Sequence, residues 1–186
     1  MALAAPINLV DNGSFEDNAV AFGTDHIGAV DGWTGSIETR HGYFGSAEDG
    51  LNFAEIDRTF SQTIDTVAGT TYTLSFYYSS RPGAAVSGEG VSYSVGAGDV
   101  TLPTLPFLGF DSSQYAAAWA LYTTDFTASS GSTTLTFNAL GPDDGFGASL
   151  DNVSVVVAVP EPGTYALMLA GLAGIAFVAR RRTRRL

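Results

Sequence analysis

The chain has 186 residues, 45% hydrophobic and 15% charged, with a formal net charge of −11. It has no cysteine, which excludes a disulfide framework and thiolate chemistry, and no lysine, because all eight basic residues are arginine. Five of these lie at 180–185, leaving residues 1–159 with three arginines against eighteen Asp and Glu, a formal charge of −15 that disfavours nucleic acid and anionic lipid as partners.

In chain order, the N-terminal hexapeptide Met1-Ala-Leu-Ala-Ala-Pro6 has neither a basic n-region nor an apolar stretch. It resembles the last residues of a signal peptide, with Ala2-Leu3-Ala4 as a small-residue cleavage site, and predicts that residues 1–6 are a remnant of a leader that starts upstream. From Ile7 to Val157 the pattern predicts an all-β domain over 7–158: Thr, Ser, Val, Tyr and Phe dominate, and glycine punctuates at short intervals. Residues 8–16 read as a strand, a turn at Asn12-Gly13 and a short return. Residues 31–38 read as a strand anchored by Trp33; 51–56 and 59–67 read as two more, joined near Asp57. The clearest strand is 70–79, where Tyr72, Leu74, Phe76 and Tyr78 alternate with Thr71, Thr73, Ser75 and Tyr77. Further strands are predicted at 91–95, 115–128, 133–140 and 148–158, and loops at 102–113 and 141–147. Nine or ten short strands with turns between them point to a β-sandwich of jelly-roll type.

The chain ends in three blocks, 159–186. Pro160, Glu161, Pro162 and Gly163 form a turn that continues neither strand nor helix. Residues 164–179 are an apolar helix, short of the roughly 20 residues of a full membrane span. Residues 180–186 are a basic tail, the arrangement that places the positive end inside a membrane. Ala166, Ala170 and Gly174 form a small-residue face suited to helix contact. The order and spacing of the blocks resemble the PEP-CTERM sorting signal. The resemblance implies export, a precursor anchored in the inner membrane by a single transmembrane helix, and an exosortase as partner. That partner is a membrane-embedded cysteine transpeptidase that cuts near the motif and sends the ectodomain to the cell surface or extracellular matrix. The alternative is an ordinary single-pass anchor with a proline-rich stem.

A second resemblance spans about 150 residues. The pieces N-G-S-F-E (12–16), T-V-A-G-T-T-Y-T-L-S-F (66–76), W-x-x-Y-T-T-D-F-T-A (119–128) and L-D-N-V-S-V (150–155) are similar, in that order, to the galactose-binding-like jelly rolls, which include many carbohydrate-binding modules. The resemblance implies a structural Ca2+ ion that ties the first segment to the last strand, with Glu16 and Asp151 as side-chain ligands and Asp49 as a further one. Calcium takes six to eight hard oxygens, and carboxylates with backbone carbonyls supply them. The alternative for these carboxylates is turn and edge hydrogen bonding. Asp143-Asp144-Gly145 lacks the spacing of an EF-hand loop and reads as a solvated turn.

A pyranose has an apolar face ringed by hydroxyls, so a sugar site needs an exposed aromatic with polar neighbours. Candidates are Trp33, Tyr43, Tyr77 and Arg81, with Phe44 and Tyr115 behind them. Trp33 and Trp119 both sit in strand patterns that favour core packing, and Arg81 has Glu89 as an alternative partner. No catalytic residue is nominated: His26 and His41 are not in metal-ligand spacing, and there is no G-x-S-x-G elbow. The two resemblances together imply, as the expected function, non-catalytic binding of exopolysaccharide by an exported protein. A structural or adhesive surface protein without a sugar site is the alternative. A hydrolase with two carboxylates facing across a cleft is the third.

Overall fold

The computed structural model describes residues 6–35, 37–42, 45–79, 90–96, 99–102, 119–140, 147–158 and 171–172. Two antiparallel sheets pack face to face. The six-stranded sheet runs β1 (Thr24–Gly28), β3 (Ile37–His41), β4 (Asn52–Ile56), β11 (Ala148–Val157), β6 (Thr71–Ser79), β9 (Ala120–Thr127). The five-stranded sheet runs β2 (Thr34–Gly35), β5 (Thr59–Asp65), β10 (Ser132–Leu140), β7 (Gly90–Val95), β8 (Asp99–Thr101). This is the jelly-roll sandwich that the alternating pattern predicts.

The core follows from period-two alternation. On β6, Tyr72, Leu74, Phe76 and Tyr78 are buried while Thr73, Ser75 and Tyr77 are only partly so. On β10, Leu135 and Phe137 point the same way into the gap between the sheets. Aromatic rings bridge that gap: Phe76 meets Phe137 edge-on at 5.0 Å, Phe137 stacks on Phe60 at 5.5 Å, and Phe60 meets Trp33 at 4.9 Å. Phe15 stacks on Trp33 at 5.8 Å and is fully buried, although its backbone lies at φ 60°. A bulky residue is held in that left-handed region only because burial, worth about 1.5–3 kcal/mol for such a side chain, offsets the cost.

Three sequence expectations are corrected. Residues 8–16 form no ladder strand. Their stretch is a series of turns laid along the lower half of β11, with Leu9 N donating to Val155 O and Val153 N to Gly13 O, both at 2.9 Å. Asn8 completes it, its Oδ1 accepting from Val155 N. The single strand expected at 31–38 is divided between the sheets, with Thr34–Gly35 in one and Ile37–His41 in the other. Strand β1 was not expected, because its TDHIG sequence is exposed at all but its last residue and carries no apolar alternation.

Candidate functional site

The same alternation that fills the core leaves a second face on the six-stranded sheet. On β3 and β4, Ile37, Ala54 and Ile56 belong to the core, so the intervening Glu38, Arg40, Phe53 and Glu55 stand on the outer side. Register extends this side across the sheet. Glu38 pairs with Glu55, Glu55 with Ser149, and Ser149 with Ser79. The next row begins with Arg40 opposite Phe53 and continues with Asp151 opposite Tyr77 and Tyr77 opposite Leu121. Trp119, one residue ahead of β9, meets Phe53 edge-on at 5.8 Å.

Arg40 is the electrostatic centre of this face. Its Nη2 lies 2.5 Å from Glu38 Oε2 and its Nε 2.6 Å from Glu55 Oε2. Arg40 and Glu55 are both at or below 2% exposed, so these are interior charges. Gly147 N donates to Glu55 Oε1 at 3.1 Å. No other residue fits at 147, since an added Cβ would stand 2.0 Å from Ile56 O. Burial pushes the Glu38 carboxyl above its usual range; Arg40 pulls it back, and the neighbouring Asp57 carboxylate pushes it further up.

Two carboxylates from opposite ends of the chain grip one loop beside this face. Glu16 Oε1 accepts from Leu51 N at 2.7 Å and Asn52 N at 2.6 Å. Asp151 Oδ2 accepts from Glu48 N at 2.7 Å and Asp49 N at 3.0 Å, and its Oδ1 from Asn152 N at 2.7 Å. Asn152 supports this from a bulge between Asp151 and Ser154, at φ 49°, where asparagine is among the few residues at ease. Its Nδ2 reaches Glu48 Oε2 at 3.1 Å. Gly50 turns the loop at φ 69°, and a Cβ there would strike the Glu16 carboxylate at 2.5 Å.

Asp151 is wholly buried, and burial raises its carboxyl to about 7 in spite of the three amides that hold it. The Asp49 carboxylate raises it further. Nearby, Asn52 Nδ2 donates to Phe15 O and Asn18 O, both at 3.1 Å, which fixes the amide orientation. Its Oδ1 is then a buried acceptor that meets no hydrogen. Among the described residues, no three His, Asp or Glu side chains converge to hold a metal ion. Oxygen donors to a cation here would be the Glu16, Asp49 and Asp151 carboxylates with backbone carbonyls.

The sugar candidates fare differently. Trp33 is only 7% exposed, packed between Phe15 and Phe60, with its Nε1 donating to Asn12 O, so its ring is a core element and no platform for a ligand. Tyr77 is half-buried on the outer face, in the same row as Asp151. Tyr43, Arg81 and the sorting residues Pro160, Glu161, Pro162 and Gly163 lie outside the described residues, as do 164–170 and 173–186 of the expected helix and tail. Among the described residues no helix is long and apolar enough to cross a membrane. Trp119, expected in the core, is instead half-buried on the outer face and donates to Ser46 O at 3.0 Å. The Arg40 cluster was missed by sequence reasoning. The available signal was Glu38-x-Arg40, a charged i, i+2 pair containing one of only three arginines before residue 160.

Residues 158–184 match the PEP-CTERM protein-sorting motif. The chain is thus a jelly-roll sandwich followed by a sorting signal. That signal marks an exosortase-processed precursor, membrane-anchored and destined for the cell surface or extracellular matrix. The chain is 30% identical over 165 residues to halomucin of Haloquadratum walsbyi, a match that covers 80% of this chain and 2% of that protein's length. Among solved structures it is similar to TmCBM61 in complex with beta-1,4-galactotriose, at 15% identity over 82% of this chain and 99% of that one, with a TM-score of 0.52. It is also similar to the CBM22-1 xylan-binding domain from Paenibacillus barcinonensis Xyn10C, at 13% identity over 86% of this chain and 99% of that one, with a TM-score of 0.49. At 15% identity the likeness to TmCBM61 is one of fold alone.

Proposed function

We propose that this protein is a non-catalytic glycan-binding module that its sorting signal delivers to the cell surface, where it holds exopolysaccharide against the outer face of the six-stranded sheet. The observation that carries this reading is the pair of half-buried aromatics on that face, Tyr77 and Trp119, beside the Arg40, Glu38 and Glu55 charges. Aromatic faces beside fixed charges are what an amphipathic sugar ring requires. A non-catalytic role is supported by Arg40, which ties up both Glu38 and Glu55. The test is binding of the processed protein to a panel of polysaccharides. Tyr77→Ala and Trp119→Ala are expected to weaken binding about tenfold or more each, within the range for aromatic anchors. A well-folded protein that binds none of them refutes the reading.

One observation favours a purely structural or adhesive role. Phe53 and Asp151 are at or below 1% exposed, so the middle of the row is covered and only Tyr77, Leu121 and Trp119 present surface. A well-folded protein that binds no polysaccharide would support it, whereas binding that survives both aromatic substitutions would move the sugar site to another face.

We further propose that a calcium ion sits where Glu16 and Asp151 grip the 48–52 loop, with Asp49 at its outer side. The wholly buried Asp151 carboxyl, with the Asp49 carboxylate acting on it and Glu16 on the same loop, supports a cation there. Its role would be structural, fastening the first turns of the domain to its last strand. A chelator should lower the melting temperature, and added calcium restore it; identical melts with and without chelator refute the site.

A further inference from the structure

The sorting motif leaves the sandwich with almost no linker. Strand β11 ends at Val157, and Ala158 N still donates to Thr71 O at 3.0 Å. The matched motif begins at that same residue, 158, and one residue separates Ala158 from Pro160. At most about 3.6 Å of reach per residue then places Glu161 within about 11 Å of the last sheet hydrogen bond. An enzyme that grips extended chain around the motif at that distance must touch the end of the sandwich. Freeing more chain would strip an interior strand, since β11 is hydrogen-bonded to β6 on one side and to Leu9 on the other.

That end has the surface of a contact. Ile7 is 80% exposed, Val67 65% and Val157 49%. Val157 pairs with Tyr72, whose hydroxyl accepts from Val67 N at 2.9 Å, and Ile7 precedes the Leu9 segment that runs antiparallel to β11. All three therefore lie at one end. Between them the turns 66–70 and 128–132 carry no charged residue, on a domain whose formal charge is −15, and the nearest carboxylate along the chain is the exposed Asp65 opposite Ser132 at their edge. These turns are locked together: Gly69 N donates to Ala128 O at 2.8 Å, Ala128 N to Thr70 O at 3.0 Å and Thr66 N to Gly131 O at 3.0 Å. A groove of about 210 Å³, lined by Phe126, Ser129, Ser130 and Ser132, opens beside them.

We propose that this end of the sandwich is a docking surface for the sorting transpeptidase, with Ile7, Val67 and Val157 as its apolar contacts. The enzyme then recognises the folded domain's end together with the linear motif. The inference rests on the sorting reading. Apart from Asp65 at its rim, charge is kept off the turns that would close against a membrane-embedded partner, because burying an unpaired carboxylate there is costly. The locked turns present the apolar residues without an ordering cost at binding.

The test uses the full-length precursor in a host with a working exosortase, with the rate of tail loss read by intact mass. Ile7→Glu/Val67→Glu should slow tail loss about tenfold, the size expected when apolar interface anchors are lost, while the melting temperature stays unchanged. Val67→Ser serves as a milder second variant, slowed in the same direction. An eight-residue Gly/Ser insert after Ala158 should make processing indifferent to these substitutions. A photo-crosslinking residue at position 67 should capture the enzyme when its catalytic cysteine is inactivated. Wild-type rates in the charged variant overturn the proposal, and so does crosslinking to lipid alone, which would make the bilayer the occupant. A wild-type precursor that keeps its arginines, with the tail also uncut on an unrelated domain behind a long linker, refutes the sorting reading instead.

Discussion

Replacing Arg40 by methionine tests the electrostatic account of the outer face most directly. The substitution keeps an unbranched stem about as long as arginine's to Nε and removes the guanidinium, leaving Glu38 and Glu55 without the cation that lies 2.5 and 2.6 Å from them. Both sit in low-dielectric surroundings, Glu55 at 1% exposure, and Asp57 adds a third carboxylate close to Glu38. Breaking a buried pair by removing one partner costs about 3–5 kcal/mol, chiefly as the penalty of the stranded charge. For a domain of this size each kcal/mol is worth about 2–4 °C, so at pH 7 Arg40→Met should melt about 6–20 °C lower. The loss should shrink on acidification. Without Arg40 the Glu38 carboxyl rises further above its ordinary value, and a raised carboxyl contributes its stability below the unfolded value and loses it as pH rises through the folded one. At pH 4 the gap between variant and wild type should therefore be much narrower than at pH 7. Adding Glu55→Gln to Arg40→Met removes one stranded charge and should recover part of the stability at pH 7. Thermal melts of the four combinations at both pH values decide the matter. A loss below about 1 kcal/mol at pH 7, or a double variant no better than the single, would refute the reasoning.

Three further outcomes are expected. With calcium chelated, Asp151 should make the domain less stable as pH rises: its carboxyl is raised to about 7, so its contribution is complete below about 4 and lost through 7, and Asp151→Asn should flatten that slope in melts across pH 4–8. Gly147→Ala should cost about 1–3 kcal/mol in urea unfolding, because the new methyl meets Ile56 O at 2.0 Å and must push two strands apart. Asn152→Gly should be nearly neutral, whereas Asn152→Val should destabilise by about 1–2 kcal/mol, since only the former tolerates φ 49° at the bulge.

The parts of this fold that could be read from sequence are those where side-chain period and burial coincide. Strand β6 is the clearest case: its four alternate aromatic and leucine residues are all buried, and Ser79 at its end is the one polar residue buried with them. Strand β1 was invisible because it lies at the edge of its sheet and buries nothing that its sequence would announce. Residues 8–16 misled for the opposite reason. They are apolar and polar in a strand-like order, but Asn8 and Asn12 supply side-chain hydrogen bonds that hold the chain in turns against β11. Glu16 and Asp151 were legible as a pair through the short motifs that contain them, and the structure brings both to one loop. Arg40, Glu38 and Glu55 were not, because their meeting depends on the register between β3 and β4, which no local pattern encodes. Trp119 shows the limit of alternation. It has the phase of Leu121, which is 57% exposed, and that phase points away from the core.

The turns laid along β11 also bring the two ends of the domain together. Leu9 bonds to Val155, so the chain enters the sandwich beside the place where it leaves. A unit with adjacent entry and exit behaves as a cassette: it can be spliced into a surface loop or strung in a longer polypeptide without prying its host apart. Pulled by both ends, such a cassette would peel open from one side, one hydrogen bond at a time, where a domain with opposed ends must shear. In a molecule destined for the outside of a cell, that geometry loads the bonds between Leu9 and β11 one after another instead of together.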